Sequence, residues 1–126
     1  MRYLPNGKQM SEADAHTIRE IGIPSLVLME RAALQIVETM HKKNISTEKS
    51  LIVCGSGNNG GDGFAVARLL TEQGKHADVL FAGKEASLSE ECRCQKQIVE
   101  NMGISVFTEF PDEEYTVIID AVFGVG

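Results

Sequence analysis

Apolar residues recur along the first part of the chain at the spacing of an amphipathic helix. The repeat begins after Pro24 and predicts a helix with one apolar stripe packed on a core. The residues of the stripe are Leu26, Met29, Ala33, Ile36, Val37 and Met40. A shorter helix is predicted before it, from Ser11, which forms a variant capping box with Asp14, to Gly22.

From residue 50 onward, short apolar runs alternate with helical patterns. Strands are predicted over residues 50–54, 77–82, 104–107 and 116–119. Helices are predicted over residues 61–72 and 87–102, and the second begins with a capping box of Ser87 and Glu90. This alternation predicts right-handed crossovers and a parallel sheet covered by helices on both faces.

The expected fold class is therefore α/β, a Rossmann-like three-layer α/β/α sandwich with a mainly parallel sheet. Residues 1–126 are expected to form one domain, in which residues 1–49 supply N-terminal helices and residues 50–126 the first Rossmann-like half. The sequence ends as a loop leaves the fourth predicted strand, where a doubly wound sheet normally continues. We therefore expect the domain to be incomplete at its C-terminus.

Composition narrows the class of partner. Of the 126 residues, 43% are hydrophobic and 24% are charged, and the formal net charge is −6. An acidic chain without a basic stripe is not expected to bind nucleic acid. No apolar run approaches the roughly 20 residues that cross a bilayer, and the N-terminus lacks the apolar stretch of a signal peptide. We expect no membrane association and a cytoplasmic location.

Cysteine usage agrees with that location, because three thiols cannot all pair. Cys92 and Cys94 form a C-x-C motif in a predicted helix, where residues two apart point to different sides, so a metal pair is not expected. Cys54 lies in a predicted buried strand and is expected to serve as a small apolar side chain.

Candidate chemistry begins at the first strand-to-helix turn. Gly55, Gly57 and Gly60 form a G-x-G-x-x-G pattern there, which allows a tight turn and close approach to a phosphate. A turn that only needs a flexible backbone is the alternative. Residues 82–84 replace the acid that holds the ribose in most dehydrogenases, which disfavours a classical dehydrogenase. Lys84 could face a 2′-phosphate or simply be solvated.

Three polar side chains in this turn are candidates for ligand binding. Asn58 and Asn59 offer amide oxygens that suit a hard cation or a ribose hydroxyl, and their NH₂ groups donate. They could instead only stabilise a tight turn. Asp62 is expected in the first turn of the helix, where it either caps the helix or orients a ligand group.

A second candidate element comprises residues 120–126, at the end of the fourth predicted strand. The first and fourth strands of a doubly wound sheet are neighbours where the strand order reverses, so Asp120 and the glycine loop should face one crevice. Asp120 could alternatively bond only to the backbone of the loop that follows it.

Together these segments resemble the YjeF N-terminal family and are similar to NAD(P)H-hydrate epimerases. The family's N-N-G-G-D-G loop stands at residues 58–63, and its D-A-x-F-G-x-G segment stands at residues 120–126. Further matches are Gln9, Met10 and Asp14 in the opening helix and residues 28–32 in the second helix. The resemblance spans the whole chain and is far more specific than the glycine pattern alone.

The resemblance implies an isomerase that interconverts the R and S forms of hydrated NADH and NADPH, here called NAD(P)HX. It implies that potassium is bound with the help of Asn59 and Asp120, whose oxygens are ligands that a hard cation prefers. The implied substrate-binding residues are Asn58, Asn59, Gly60, Gly61, Asp62, Gly124, Val125 and Gly126. It also implies a homodimer and a fused or separate NAD(P)HX dehydratase as partner.

Asp120 is also the candidate catalytic residue. Epimerisation requires the hydroxyl on C6 of the reduced ring to leave and water to return from the other face, and one carboxylate can act as acid and then as base. Asp120 could instead serve only as an ion ligand. The family carries further ligands in a second half, which leaves the activity of residues 1–126 alone open. The alternative function is a non-catalytic nucleotide-binding or scaffold module of the same fold, as in relatives that act in messenger-RNA decapping.

Overall fold

The predicted apolar stripe forms a long helix, α1 (Ser25–Lys42), in the computed structural model, which describes residues 22–122. Its buried residues are Leu28, Met29, Ala32, Ala33, Val37 and Met40. Leu26 is 40% exposed, so its assignment to the stripe is wrong. It lies in the first turn, and the contact of α1 with the core begins only at Leu28. The shorter helix predicted before Gly22 lies outside the described residues.

The rest of the described chain alternates strands and helices as expected. The strands are β1 (Lys49–Cys54), β2 (His76–Phe81), β3 (Val106–Phe107) and β4 (Val117–Ala121). The helices are α2 (Asn58–Glu72) and α3 (Glu90–Asn101), and a 3₁₀ turn covers Glu85–Ser87. The strand order is β3-β2-β1-β4, and all three neighbouring pairs are parallel. The α/β class with a parallel sheet is therefore confirmed, and β1 lies beside β4 as expected.

Several boundaries differ from the predicted ones. Helix α2 begins at Asn58 rather than at residue 61, so both asparagines of the loop belong to the helix. Strand β4 continues to Ala121, so Asp120 lies within the strand rather than after it. This extension follows from pairing with β1, in which Val53 is the partner of Asp120.

The predicted capping box of Ser87 and Glu90 does not form. Ser87 ends the 3₁₀ turn, where its N–H donates to the carbonyl oxygen of Lys84 at 2.9 Å. The N-cap of α3 is Ser89, whose hydroxyl accepts a hydrogen bond from the N–H of Cys92. The 3₁₀ turn therefore delays the start of the helix, and the cap is formed by a serine that the capping-box pattern does not identify.

The core lies between the sheet and the helices. Helix α2 packs against β1, β2 and β4, and it is flanked by α1 and α3. Alternate residues of each strand face this core, among them Ile52 and Cys54 of β1 and Ile119 of β4. Leu51 and Asp120, at the intervening positions, therefore belong to the opposite face of the sheet. Right-handed crossovers explain why α2 and α3 lie on the same face.

A partly buried ion cluster joins α1 to α2. Arg68 of α2 bonds to Glu30 of α1 and to Glu72 on the next turn of its own helix, and its side chain is only 14% exposed. Burial lowers the pKa of Arg68, but the hydrogen bonds to Glu30 and Glu72 outweigh this effect and raise it overall. The guanidinium therefore stays charged and anchors α1 to the helix that follows the glycine loop.

The cysteines of the described chain lie as expected, and its two histidines are exposed. Cys92 is buried and Cys94 is exposed, so the two thiols do point to different sides, and Cys54 is buried in the core. His41 is exposed, while the ring of His76 is mostly exposed and lies 3.0 Å from Oδ1 of the buried Asp78. His16 lies outside the described residues. None of the helices in residues 22–122 has both the length and the apolarity to cross a membrane.

Candidate functional site

The glycine loop leaves β1 and enters α2 without a side-chain cap. Gly57 is the N-cap, with φ of −87° and ψ of −171°. The N–H of Gly61 donates to the carbonyl oxygen of Gly57 at 3.2 Å and closes the first turn. The turn is the N-terminus of a helix of 15 residues, where the helix dipole adds positive potential. The turn is therefore suited to an anionic group such as a phosphate.

The last glycine of the pattern, Gly60, is required by close packing. A Cβ atom at Gly60 would lie 1.9 Å from the carbonyl oxygen of Gly55 and 2.7 Å from its carbonyl carbon. Nothing lies within 4 Å of a Cβ placed at Gly57. The loop thus folds back on itself at Gly60, while Gly57 borders open space where a ligand can approach the backbone.

Two further glycines let α2 approach its neighbours. A Cβ at Gly61 would lie 2.7 Å from the side chain of Met29, which is on α1. A Cβ at Gly63 would lie 2.7 Å from Cβ of Ala121 and 2.8 Å from Sγ of Cys54. The N-terminus of α2 is therefore held against both α1 and the carboxyl ends of β1 and β4.

The two asparagines occupy different environments. Asn58 is exposed, and its Oδ1 accepts a hydrogen bond of 2.9 Å from the hydroxyl of Ser89. Asn59 is half-buried in the first turn of α2. The side chain of Asn58 thus ties the loop to the start of α3, and the ligand-binding roles of both asparagines stay predictions.

Asp62 does not cap α2, because the helix begins earlier than predicted and Gly57 takes the N-cap position. Asp62 instead lies half-buried in the second turn. It faces α3 closely enough to affect Cys92: burial raises the pKa of that thiol to about 11, Lys96 opposes the shift, and Asp62 adds to it. A role for Asp62 toward a ligand stays a prediction.

The second predicted element meets the glycine loop as expected. The N–H of Gly55 donates to the carbonyl oxygen of Ala121 at 3.4 Å, and a Cβ at Gly55 would lie 3.5 Å from Cα of Val122. These contacts join the two loops that leave the carboxyl ends of the neighbouring strands β1 and β4. Of the predicted substrate-binding residues in this segment, Gly124, Val125 and Gly126 lie outside the described residues.

Asp120 bonds to the backbone of the loop that follows it, which was the alternative considered for this residue. Its Oδ1 accepts a hydrogen bond of 2.9 Å from the N–H of Val122. The side chain is half-buried. The carboxylate keeps further lone pairs, so this bond does not prevent Asp120 from binding a ligand.

The connection between β2 and α3 also contacts the glycine loop, and sequence patterns did not indicate this. The N–H of Ser89 donates to the carbonyl oxygen of Ser56 at 3.0 Å, and Sγ of Cys92 donates to the carbonyl oxygen of Gly55 at 3.6 Å. A Cβ at Gly83 would lie 2.6 Å from the backbone nitrogen of Ser56. In the sequence, the only local sign of this contact is Ser89 itself, a possible N-cap two residues after the predicted Ser87. Lys84 beside this connection is exposed, in agreement with the solvated alternative.

A potassium site would use amide and carboxylate oxygens rather than a cluster of strong ligands. Within residues 22–122, no group of three or more His, Cys, Asp or Glu side chains is placed to hold a metal ion. The oxygens of Asn59 and Asp120 nonetheless have the chemistry of ligands for a weakly bound hard cation.

Comparison with known proteins relates the chain to one family. Residues 25–126 match the family described as YjeF-related protein N-terminus. A protein of Weissella koreensis named NAD(P)H-hydrate epimerase is 44% identical over 119 residues, which cover 94% of this chain and 54% of that protein. Proteins of the same name from Oenococcus oeni and Leuconostoc citreum are 43% and 37% identical. The chain spans between 54% and 59% of the length of these curated relatives.

A solved structure supports the fold. The crystal structure of yeast ynu0, YNL200c, superimposes with a TM-score of 0.74 at 21% sequence identity. The match covers 98% of this chain and 57% of the yeast chain. At this identity the likeness concerns the fold alone.

Proposed function

The chain belongs to the family of YjeF-related protein N-termini, and from this we propose that its protein is an NAD(P)H-hydrate epimerase. The proposed reaction interconverts the R and S forms of NAD(P)HX, so the enzyme is an isomerase of damaged nicotinamide nucleotides. Relatives of that name at 37% to 44% identity support the proposal, although the chain spans little more than half their length.

One structural observation supports the proposal independently of sequence identity. The glycine loop and the segment of Asp120, which lie far apart in sequence, meet through the hydrogen bond from Gly55 to Ala121. Ligands of doubly wound α/β proteins bind in the crevice beyond the carboxyl ends of the strands, where the strand order reverses. The meeting of these two segments at the carboxyl ends of β1 and β4 supports a dinucleotide site there.

The proposed substrate contacts are the loop residues Asn58 to Asp62 and, beyond the described residues, Gly124, Val125 and Gly126. The exposed backbone at Gly57 and the first turn of α2 suit the pyrophosphate, because they offer N–H groups and positive potential to its oxygens. Asn59 and Asp120 are the proposed potassium ligands. The bound ion would supply positive charge for orienting substrate oxygens.

The proposed mechanism breaks and remakes one bond at C6 of the reduced ring. The lone pair of the ring nitrogen forms an iminium as the C6 hydroxyl accepts a proton and leaves as water. Water then attacks C6 from the opposite face and loses a proton, which restores the hydrate with inverted configuration. In this proposal Asp120 donates the first proton and accepts the second. Its bond to the N–H of Val122 holds the carboxylate in place for this task.

Chromatography of the two hydrates tests the function. Purified S-hydrate of NADPH is incubated with the full product of the gene, with residues 1–126 alone and without protein, each in potassium and in sodium buffer. We expect the full product to accelerate formation of the R-hydrate, and to do so faster in potassium. Tight binding of the hydrate without acceleration would instead indicate a non-catalytic binding module of the same fold.

Replacement of Asp120 by Asn separates its two proposed roles. If Asp120 transfers protons, Asp120→Asn slows epimerisation at least about a hundredfold at every potassium concentration. If Asp120 only binds the ion, saturating potassium restores most of the rate. An unchanged rate in the folded variant eliminates both roles.

The cellular setting belongs to the same proposal. An epimerase that repairs soluble nicotinamide nucleotides would work in the cytoplasm, as a homodimer, beside a fused or separate NAD(P)HX dehydratase. Analytical ultracentrifugation of the full product tests the dimer, and dehydratase activity of that product tests the fusion.

A further inference from the structure

The hydroxyl of Ser89 lies between the start of α3 and the glycine loop. It accepts a hydrogen bond of 3.2 Å from the N–H of Cys92, and it donates one of 2.9 Å to Oδ1 of Asn58. The backbone of Ser89 is also fixed, since its N–H donates to the carbonyl oxygen of Ser56 at 3.0 Å. Ser89 therefore contacts the glycine loop through both its backbone and its side chain.

The hydrogen bonds of Ser89 indicate how the Asn58 amide is oriented. The N–H of Cys92 can only donate, so it uses a lone pair of the Ser89 oxygen. The hydroxyl proton of Ser89 is directed to Oδ1 of Asn58 at 2.9 Å. With Oδ1 turned toward Ser89, the side chain of Asn58 can present the two donors of its NH₂ group to a ligand.

We propose that Ser89 is a positioning residue that fixes Asn58 as a hydrogen-bond donor toward the substrate. Asn58 then contacts an acceptor of the dinucleotide, such as a phosphate, ribose or carboxamide oxygen, and it is not a ligand of the cation. This inference rests on the proposed function for the identity of the substrate, but the orientation of Asn58 can be measured without it.

The surroundings of Ser89 make this position rigid. Sγ of Cys92 donates to the carbonyl oxygen of Gly55, and Gly83 packs against the backbone of Ser56, so the connection holds the loop at several points. At the far side of α3, Oε1 of Glu91 accepts a hydrogen bond of 2.8 Å from the hydroxyl of Ser25 on α1. The first turn of α3 is thus fixed relative to both the loop and α1.

Two substitutions at Ser89 separate positioning from helix capping. Glycine is a tolerable N-cap residue but has no hydroxyl, so Ser89→Gly removes the bond to Asn58 while the melting temperature falls by only a few degrees. Threonine keeps both the cap and the donor, so Ser89→Thr should behave as the wild type. Ser87→Gly introduces the same residue into the adjoining 3₁₀ turn and serves as the matched control.

Steady-state kinetics of epimerisation by the full product measure the effect on substrate. Loss of one oriented hydrogen bond made equally in the ground and transition states raises KM about five- to tenfold in Ser89→Gly and leaves kcat unchanged. Ser89→Thr and Ser87→Gly keep the wild-type KM. An equal KM in Ser89→Gly and Ser87→Gly would overturn the positioning role.

Asn58→Asp tests the direction of the hydrogen bond. A carboxylate has no donor, so if Asn58 donates to the substrate, Asn58→Asp raises KM at least about tenfold and adding Ser89→Gly causes little further loss. If the side chain were a cation ligand, Asn58→Asp would lower the potassium concentration needed for half-maximal activity. That result would overturn the proposal.

Nuclear magnetic resonance provides a test that does not depend on activity. The side-chain NH₂ signals of Asn58 are identified by their loss in Asn58→Asp. We expect them to shift and exchange faster with water in Ser89→Gly but not in Ser89→Thr or Ser87→Gly. Unchanged signals in Ser89→Gly would overturn the orientation of Asn58, whereas changed signals in a protein without epimerisation would leave the positioning intact and reject only the proposed function.

Discussion

Alanine at Gly60 should destabilise the protein much more than alanine at Gly57. A Cβ at Gly60 would lie 1.9 Å from the carbonyl oxygen of Gly55, although the shortest ordinary contact of a Cβ is about 3.4 Å. The Cβ is fixed to the backbone of residue 60 and the oxygen belongs to the backbone of Gly55, so no side-chain movement can relieve the clash. The loop must open by more than an ångström, which strains the bond from Gly61 to Gly57 that closes the first turn.

The expected cost can be worked out from these contacts. Overpacking costs about 1–3 kcal/mol, and a weakened backbone hydrogen bond adds about 1 kcal/mol. Alanine lowers the conformational entropy of the unfolded chain, which offsets this loss of stability by less than about 1 kcal/mol. The net loss for Gly60→Ala is therefore about 2–3 kcal/mol. For a chain of 126 residues this corresponds to a fall in melting temperature of roughly 10 °C.

Gly57→Ala is the matched control. Its φ of −87° and ψ of −171° are allowed for alanine, and nothing lies within 4 Å of the added Cβ. The two variants change the unfolded chain in the same way, but alanine is also a poorer N-cap than glycine, so the clash appears as the loss in Gly60→Ala beyond that in Gly57→Ala. Thermal and urea unfolding followed by circular dichroism measure this difference. Equal melting temperatures for the two variants would refute the close approach of Gly60 to Gly55.

Two further predictions concern stability. Arg68→Met should lower the free energy of unfolding by about 1–2 kcal/mol in urea titrations, because it leaves Glu30 without its partly buried partner. Lys42→Ala, which removes an exposed ion pair with Glu38, should cost less than about 0.5 kcal/mol, and an equal loss would contradict the importance of burial. Burial raises the pKa of the Cys92 thiol from 9.0 to about 11. Protonation of this thiol therefore favours the folded state, and the contribution is complete below pH 9.0 and is lost as the pH rises to about 11. Stability should therefore fall by roughly 1 kcal/mol per pH unit in that range, and less steeply in Cys92→Ala. Parallel slopes for the two proteins would exclude the thiol as a source.

Much of the fold and part of the site followed from local patterns in the sequence. The alternation of apolar runs with helical stripes predicted the α/β class, and the glycine pattern marked the turn from β1 into α2. The apolar run before Asp120 indicates a strand that carries this acid beside β1, although β4 extends past it to Ala121. These features depend on residues within a few positions of one another, because the periods of helices and strands and the needs of tight turns are local properties.

The positions of individual side chains were decided by packing between distant segments. Helix α2 begins at Asn58 because Gly60 can fold onto Gly55, and Asp62 therefore misses the helix end where it was expected. Ser89 caps α3 and holds Asn58 although the two residues are 31 positions apart. Local sequence patterns were enough to predict the main strands and helices of residues 22–122 and their order along the chain. They could not predict which polar atoms meet, because a hydrogen bond between separate elements depends on their relative placement and not on the local pattern of either one.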